Sequence, residues 1–210
     1  MNTFPSLVVI ASAYLMGSIP IGLLLVRVTT REDVRKIGSG RTGGTNVLRA
    51  AGPWVAALAV LGDGIKGLLA VLLARTTVGS TTLGALAGVA AVLGHNYSIF
   101  IGFKGGAGTA CTVGGAIGLW PWNGPILAGI LAIAIIATHH ASVGSIVVAV
   151  LTPIIFALRA SLTDAPWTYL IHGLGTATLT LWALRPNIRR LQQGDERRVV
   201  LRPKACISHK

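Results

Sequence analysis

Charge is scarce in this chain. Asp, Glu, Lys and Arg together make up 11% of its 210 residues, against roughly 25% in a soluble domain, which excludes an ordinary soluble globule. Acids are scarcest, six against eighteen Lys and Arg; no paired carboxylates and no Ser-His-Asp pattern stand out, so hydrolysis has no support. Only two cysteines occur, Cys111 in an apolar stretch and Cys206 in the basic C-terminal segment, with neither the number nor the spacing of a disulfide framework or zinc site. Both are expected as free thiols. His139 and His140 are adjacent and point apart on a helix, so no metal site is expected. No cofactor is expected either: the Walker spacing with its terminal Lys-Ser/Thr is absent.

What is present is apolar length. Hydrophobic residues make up 52% of the chain, with 27 glycines besides, and the mean hydropathy is +0.71. Apolar runs of about twenty residues recur throughout, the length that crosses a bilayer as a helix. The expected fold is therefore all-α, a polytopic integral membrane helical bundle of about seven transmembrane helices. The spans fall at 4–26, 52–74, 81–101, 108–120, 124–138, 143–158 and 167–184. The fourth to sixth are short, and neighbours among them can instead form one bent or re-entrant segment. The first run has no basic residue before it and is too long for a signal-peptide core, so it is expected to remain as a span.

The net charge of +12 reads as topology rather than as nucleic-acid binding. Seven alternating spans put fifteen basic residues on one side, in segments 27–49, 102–107 and 185–210, and leave Arg75 and Arg159 on the other. Excess Lys and Arg mark the cytoplasmic side, so the N-terminus is expected outside and the C-terminus in the cytoplasm. Residues 1–198 form a single transmembrane domain in this reading, and 199–210 a basic cytoplasmic tail suited to anionic lipid. No internal or inverted repeat is evident, which weakens a transporter reading.

The chemically capable residues gather on the cytoplasmic side. The segment 38–49, GSGRTGGTNVLR, combines four glycines with hydroxyl residues and Arg49; its backbone can turn N–H groups inward as an anion nest or serve as a flexible connector. The segment 103–108, FKGGAG, opens a predicted helix, where unpaired amides, the positive helix end and Lys104 suit an anion; tight packing with a snorkelling lysine is the alternative. Asp63 and Lys66 share a helical face within a span and are expected to neutralise each other. His95, at the end of a span, is a candidate base or a hydrogen-bonded interfacial residue.

Taken together these segments resemble the bacterial acyl-phosphate-dependent glycerol-3-phosphate acyltransferases. GSIP at 17–20, GSG..G.TNVLR at 38–49, D..KG at 63–67, GH at 94–95, FKGG.G at 103–108, S..S at 142–145 and NI.RL..G.E at 187–196 occur in the family's order and spacing. The resemblance implies transfer of a fatty acyl group from acyl phosphate to the 1-hydroxyl of glycerol 3-phosphate, at a cytoplasmic-face site in the cell membrane, by a chain working as a monomer among membrane lipids. It assigns catalysis to Ser39, Arg49, Lys104 and Asn187. Phosphate binding falls to Gly40, Arg41, Asn46, Gly105, Gly106, Gly108 and Ser142, and polar support to Asp63, Lys66, His95, Ser145 and Glu196.

Three positions depart from the family pattern: Arg41 stands for an Asn, Ala107 for a second Lys, and Leu184 for a His three residues before Asn187. Arg41 can restore the charge missing at Ala107, whereas Leu184 neither donates nor accepts a hydrogen bond. Two consequences stand open: the acceptor's own phosphate takes the hydroxyl proton, or the chain is a divergent paralogue with a changed acceptor or none. A small transporter using Asp63 and Lys66 is the non-enzymatic alternative.

Overall fold

The structure, a computed structural model, describes residues 3–199. These form eight α-helices: α1 (Thr3–Ser18), α2 (Ile21–Thr30), α3 (Gly44–Val78), α4 (Thr81–Asn96), α5 (Thr109–Leu119), α6 (Asn123–Thr138), α7 (Ala141–Leu162) and α8 (Tyr169–Gln193). Short 3₁₀ turns occupy Val34–Lys36 and Ile99–Ile101. Because α1 and α2 continue one another across a break, the bundle has seven rods. Four stretches are long and apolar enough to cross a membrane: Thr3–Thr30, Gly44–Val78, Thr81–Ile101 and Ala141–Leu162. Of the expected tail at 199–210, residues 200–210 lie outside the described residues, including Arg202, Lys204, Cys206 and Lys210.

Proline breaks the first two rods. Pro20 has no amide hydrogen to continue α1, so the helix stops at Ser18 and resumes at Ile21. In α3 the residue before Pro53 cannot stay helical, and Gly52 adopts φ 83°, ψ 179°, a conformation open to glycine. The helix nevertheless begins at Gly44 rather than 52, before this kink, and its first two turns carry the polar residues that a hydropathy window assigns to a loop. At the other end of the chain α8 runs past the expected 184 to Gln193, because its last turns are helical but basic. The link from α3 to α4 is short: Gly79 ends α3 at φ 68°, and the Ser80 hydroxyl accepts the Leu83 amide 3.2 Å away as the N-cap of α4.

α4 is the axis of the bundle, packed by α1, α3, α5 and α8. Its buried face is Gly84, Ala85, Ala87, Gly88, Ala90, Ala91 and Gly94, and such small residues let helix backbones approach closely where lipid supplies no hydrophobic drive. A Cβ on Gly94 would strike the Tyr14 carbonyl of α1. α5 lies against α3 in the same way, Gly114 over the Gly64 carbonyl. The two outlying arginines sit at the C-terminal end of α5. Arg75 Nη1 donates to the Gly118 carbonyl at 2.6 Å and Arg159 lies 4.6 Å over the Trp120 ring, both favourable at a negative helix end. The other end of α5 faces the polar cavity described next.

Candidate active site

Three helix N-termini meet at one cavity of about 210 Å³. Its wall includes Gly43, Gly44, Thr45 and Asn46 from the start of α3, Gly108, Thr109 and Ala110 from the start of α5, and Ala141, Ser142 and Ser145 from the start of α7. First-turn amides have no partner within their own helix and carry the positive end of its dipole. Their convergence makes the cavity an anion site before any side chain is counted.

Side chains add to that field. Ser39, Arg41 and Arg49 line the cavity from the first loop and α3, Asn187 and Leu184 from α8, and Glu196 and Arg197 from the chain after α8. The loop is held by Asn46, which is 2% exposed. Its Nδ2 donates to Ser39 Oγ (3.0 Å) and to the carbonyls of Ile37 (3.0 Å) and Arg41 (2.9 Å). Its Oδ1 accepts Arg49 Nη1 at 2.8 Å and the Ser39 amide at 3.3 Å. The Asn46 amide is thus spent on aiming Ser39, Arg41 and Arg49.

Both carboxylates on the cavity wall are neutralised. Asp63 Oδ1 lies 2.8 Å from Lys66 Nζ and 3.3 Å from His95 Nδ1, with all three side chains buried. Lys66 also donates to the Ile19 carbonyl at 3.0 Å, in the break at Pro20, where the Ile21 amide reaches the same oxygen. Glu196 accepts Asn187 Nδ2 at 2.7 Å and Arg190 Nε at 2.8 Å. Burial pushes the Glu196 carboxyl up, and the bonds from Asn187 and Arg190 outweigh it, leaving it below the ordinary glutamate value.

The glycine loop before α5 works differently from the expected nest. The Gly105 and Gly106 amides donate to the Asn96 and His95 carbonyls at 3.1 Å each, because the last carbonyls of α4 need donors. Only Gly108, at φ 88°, turns the chain so that the first amides of α5 face the cavity. Lys104 is exposed and lines a second, more open cavity of about 580 Å³ with Arg185 and Arg189. Arg41 borders both cavities, and burial together with the nearby Arg190 charge holds its guanidinium below the usual arginine value. Its Nη2 donates to the Ala183 carbonyl. The three positions that depart from the family pattern therefore share one cavity, with Arg41 bonded to the backbone beside Leu184. Arg197, which lines the cavity directly after Glu196, was not among the residues marked by the sequence; it reads there as one more basic residue of a tail.

One wall is apolar. Val60 of α3 and Leu131 and Ile135 of α6 line it; Val60 is 44% exposed, and α3 and α6 do not pack closely against each other. The cavity thus has a greasy side that opens between two helices.

The chain is similar to known proteins along most of its length. The family model described as glycerol-3-phosphate acyltransferase matches residues 7–194. A glycerol-3-phosphate acyltransferase of Syntrophomonas wolfei is 42% identical over 186 residues, covering 89% of this chain and 93% of the relative. The crystal structure of PlsY, an integral membrane glycerol 3-phosphate acyltransferase, in its glycerol 3-phosphate form superposes with a TM-score of 0.83 at 30% identity, over 92% of this chain and 95% of that one. Its lysophosphatidic acid form gives 0.81 at 29% identity, over 94% and 96%.

Proposed function

The chain belongs to the glycerol-3-phosphate acyltransferase family, and we propose that its two substrates meet in the cavity at the N-termini of α3, α5 and α7, with acyl phosphate as the donor. It is an integral membrane glycerol-3-phosphate acyltransferase producing lysophosphatidic acid. The observation that carries the choice of site is the convergence of three positive helix ends with Arg41 and Arg49 on one cavity whose two carboxylates are already paired.

Acyl transfer needs three things from this site. The phosphates must be held, and the helix ends and Arg49 supply fixed positive charge that strengthens as charge moves onto the leaving phosphate. Lys104 draws phosphate in from the adjoining cavity, and Arg41 stands between the two. The acceptor hydroxyl must be aimed at the acyl carbon, a task for Ser39, Ser142 and Asn187, whose own positions are fixed by Asn46 and Glu196. The fatty chain must stay in apolar surroundings, and the wall of Val60, Leu131 and Ile135 leads it out between α3 and α6.

The hydroxyl oxygen attacks the acyl carbonyl, the carbon–oxygen bond to phosphate breaks, and the phosphate departs with the electron pair. His95 is engaged by Asp63 and stacked against Gly106, so the hydroxyl proton passes to a phosphate oxygen of the acceptor. Leu184 is compatible with this route because no side-chain base is required. The loops at 31–43 and 102–107 and the chain after α8 carry most of the basic residues, which supports a cavity on the cytoplasmic face.

The direct test is lysophosphatidic acid formation by the detergent-purified protein given palmitoyl phosphate and glycerol 3-phosphate, with palmitoyl-CoA as the alternative donor and Arg49→Ala as control. Product from acyl phosphate alone, lost in the control, supports the reading; product from palmitoyl-CoA alone refutes the donor, and none from folded protein favours the divergent paralogue.

A further inference from the structure

The chain beyond α8 is a strap across the cavity. The Asp195 amide donates to the Arg190 carbonyl at 2.9 Å, and Glu196 is clamped between Asn187 and Arg190. Three residues on, the Val199 amide donates to the His139 carbonyl at 2.8 Å, in the turn between α6 and α7. Between these anchors Arg49 Nη2 reaches the Arg198 carbonyl at 3.4 Å. The strap therefore ties α8, α3 and the α6–α7 turn together, and the residue it lays on the cavity wall next to Glu196 is Arg197.

The charges around the cavity show why that matters. Asp63 is paired with Lys66 and Glu196 with Arg190. Among the described residues, Arg41, Arg49 and Arg197 line this one cavity with no carboxylate ion-pair partner. Holding like charges together at one cavity is unfavourable until an anion enters between them. A strap anchored on both sides of its arginine fixes that arrangement in advance, which is the preorganisation that phosphate binding rewards.

We propose that Arg197 is a phosphate-binding residue of the acyl transfer, carried to the cavity by the strap at 195–199. The assignment rests on the function proposed above and extends its site by one residue. Its ligand chemistry is a phosphate dianion, supplied either by glycerol 3-phosphate or by acyl phosphate, and a guanidinium suits it through paired N–H donors.

The test varies each substrate in turn with the full-length protein. Arg197→Gln is expected to raise the KM of one phosphate substrate about tenfold while kcat stays within about twofold, the loss of one charge-assisted contact from binding. The substrate whose KM moves is the one Arg197 holds. Arg197→Lys should recover part of the loss, and Arg198→Gln, which keeps the carbonyl that Arg49 uses, should match the wild type. KM values unchanged for both substrates in Arg197→Gln, or an equal rise in Arg198→Gln, would overturn the proposal. Melting in the presence of glycerol 3-phosphate and of palmitoyl phosphate gives a second readout free of turnover. At least one of them should stabilise the wild type measurably more than Arg197→Gln; equal stabilisation of both proteins by each, or stabilisation of neither protein by either, counts against the site. An inactive wild type that is still stabilised through Arg197 would instead defeat the proposed reaction and leave the binding role standing.

Discussion

The ammonium of Lys66 lies 3.0 Å from the carbonyl oxygen of Ile19, a residue on another helix rod and 47 positions earlier in the chain. Pro20 ends α1 and turns that carbonyl out of the helix, where Lys66 shares it with the Ile21 amide while also reaching Asp63 at 2.8 Å. A helix break and a buried ion pair are thus one device. Removing one partner of a buried pair leaves the other charge uncompensated, at about 3–5 kcal/mol. Lys66→Met should lower the melting temperature in detergent sharply, and Asp63→Asn combined with Lys66→Met should recover part of the loss. A double variant as unstable as the sum of the singles would contradict the pairing.

Arg49 is exposed and bonded mainly to Asn46 and the strap, so its loss should spare the fold. Arg49→Ala is expected to cut kcat/KM by about 100-fold or more with the melting temperature nearly unchanged. Lys104→Ala should likewise cost most of the turnover without unfolding the protein. Wild-type activity in either variant would refute its role.

Arg41 and Ala107 line the same cavity, so charge at one site should substitute for charge at the other. Arg41→Asn alone is expected to raise the KM for a phosphate substrate by about tenfold. Adding Ala107→Lys should return it most of the way. If the second substitution brings no recovery, Arg41 does not stand in for a lysine.

Glu196 gives a pH dependence with a definite sign. Its carboxyl is held below the ordinary glutamate value of 4.5, so the ionised form is favoured by folding. The stability it contributes is fully present above that value and is lost as pH falls through the lower folded value. Melting curves should show part of the acid-side loss below about pH 4.5 disappear in Glu196→Gln. Parallel acid limbs in the two proteins would exclude the contribution.

Hydropathy alone located seven rods, because the solvent is lipid and each span is a long apolar run. It misplaced the ends of α3 and α8 because the first turns of one and the last turns of the other are helical but polar, and a hydropathy window reads polarity as loop. The motif residues were legible, yet their relationships were not. Nothing in the sequence shows that the Asn46 amide is used up within the loop, or that the Gly105 and Gly106 amides cap α4 rather than face a ligand. Arg197 was invisible for a different reason: in a run of basic residues only its place between Glu196 and Val199 distinguishes it, and the Val199 anchor, on the His139 carbonyl, is a contact distant in sequence.

The eleven residues of α5 make a rod only about 16 Å long, roughly half the hydrocarbon thickness of a bilayer. Its C-terminal end is held among Trp120 and Arg159, and its amide end opens on the cavity. In the proposed reaction phosphate would then descend to the fatty chain, instead of the chain rising to meet phosphate. Lifting a sixteen-carbon tail into water would cost on the order of 12 kcal/mol at about 0.8 per methylene. With a recessed hearth of this kind neither donor nor product has to desorb, and the finished lysolipid can slip sideways into the leaflet where it will be used.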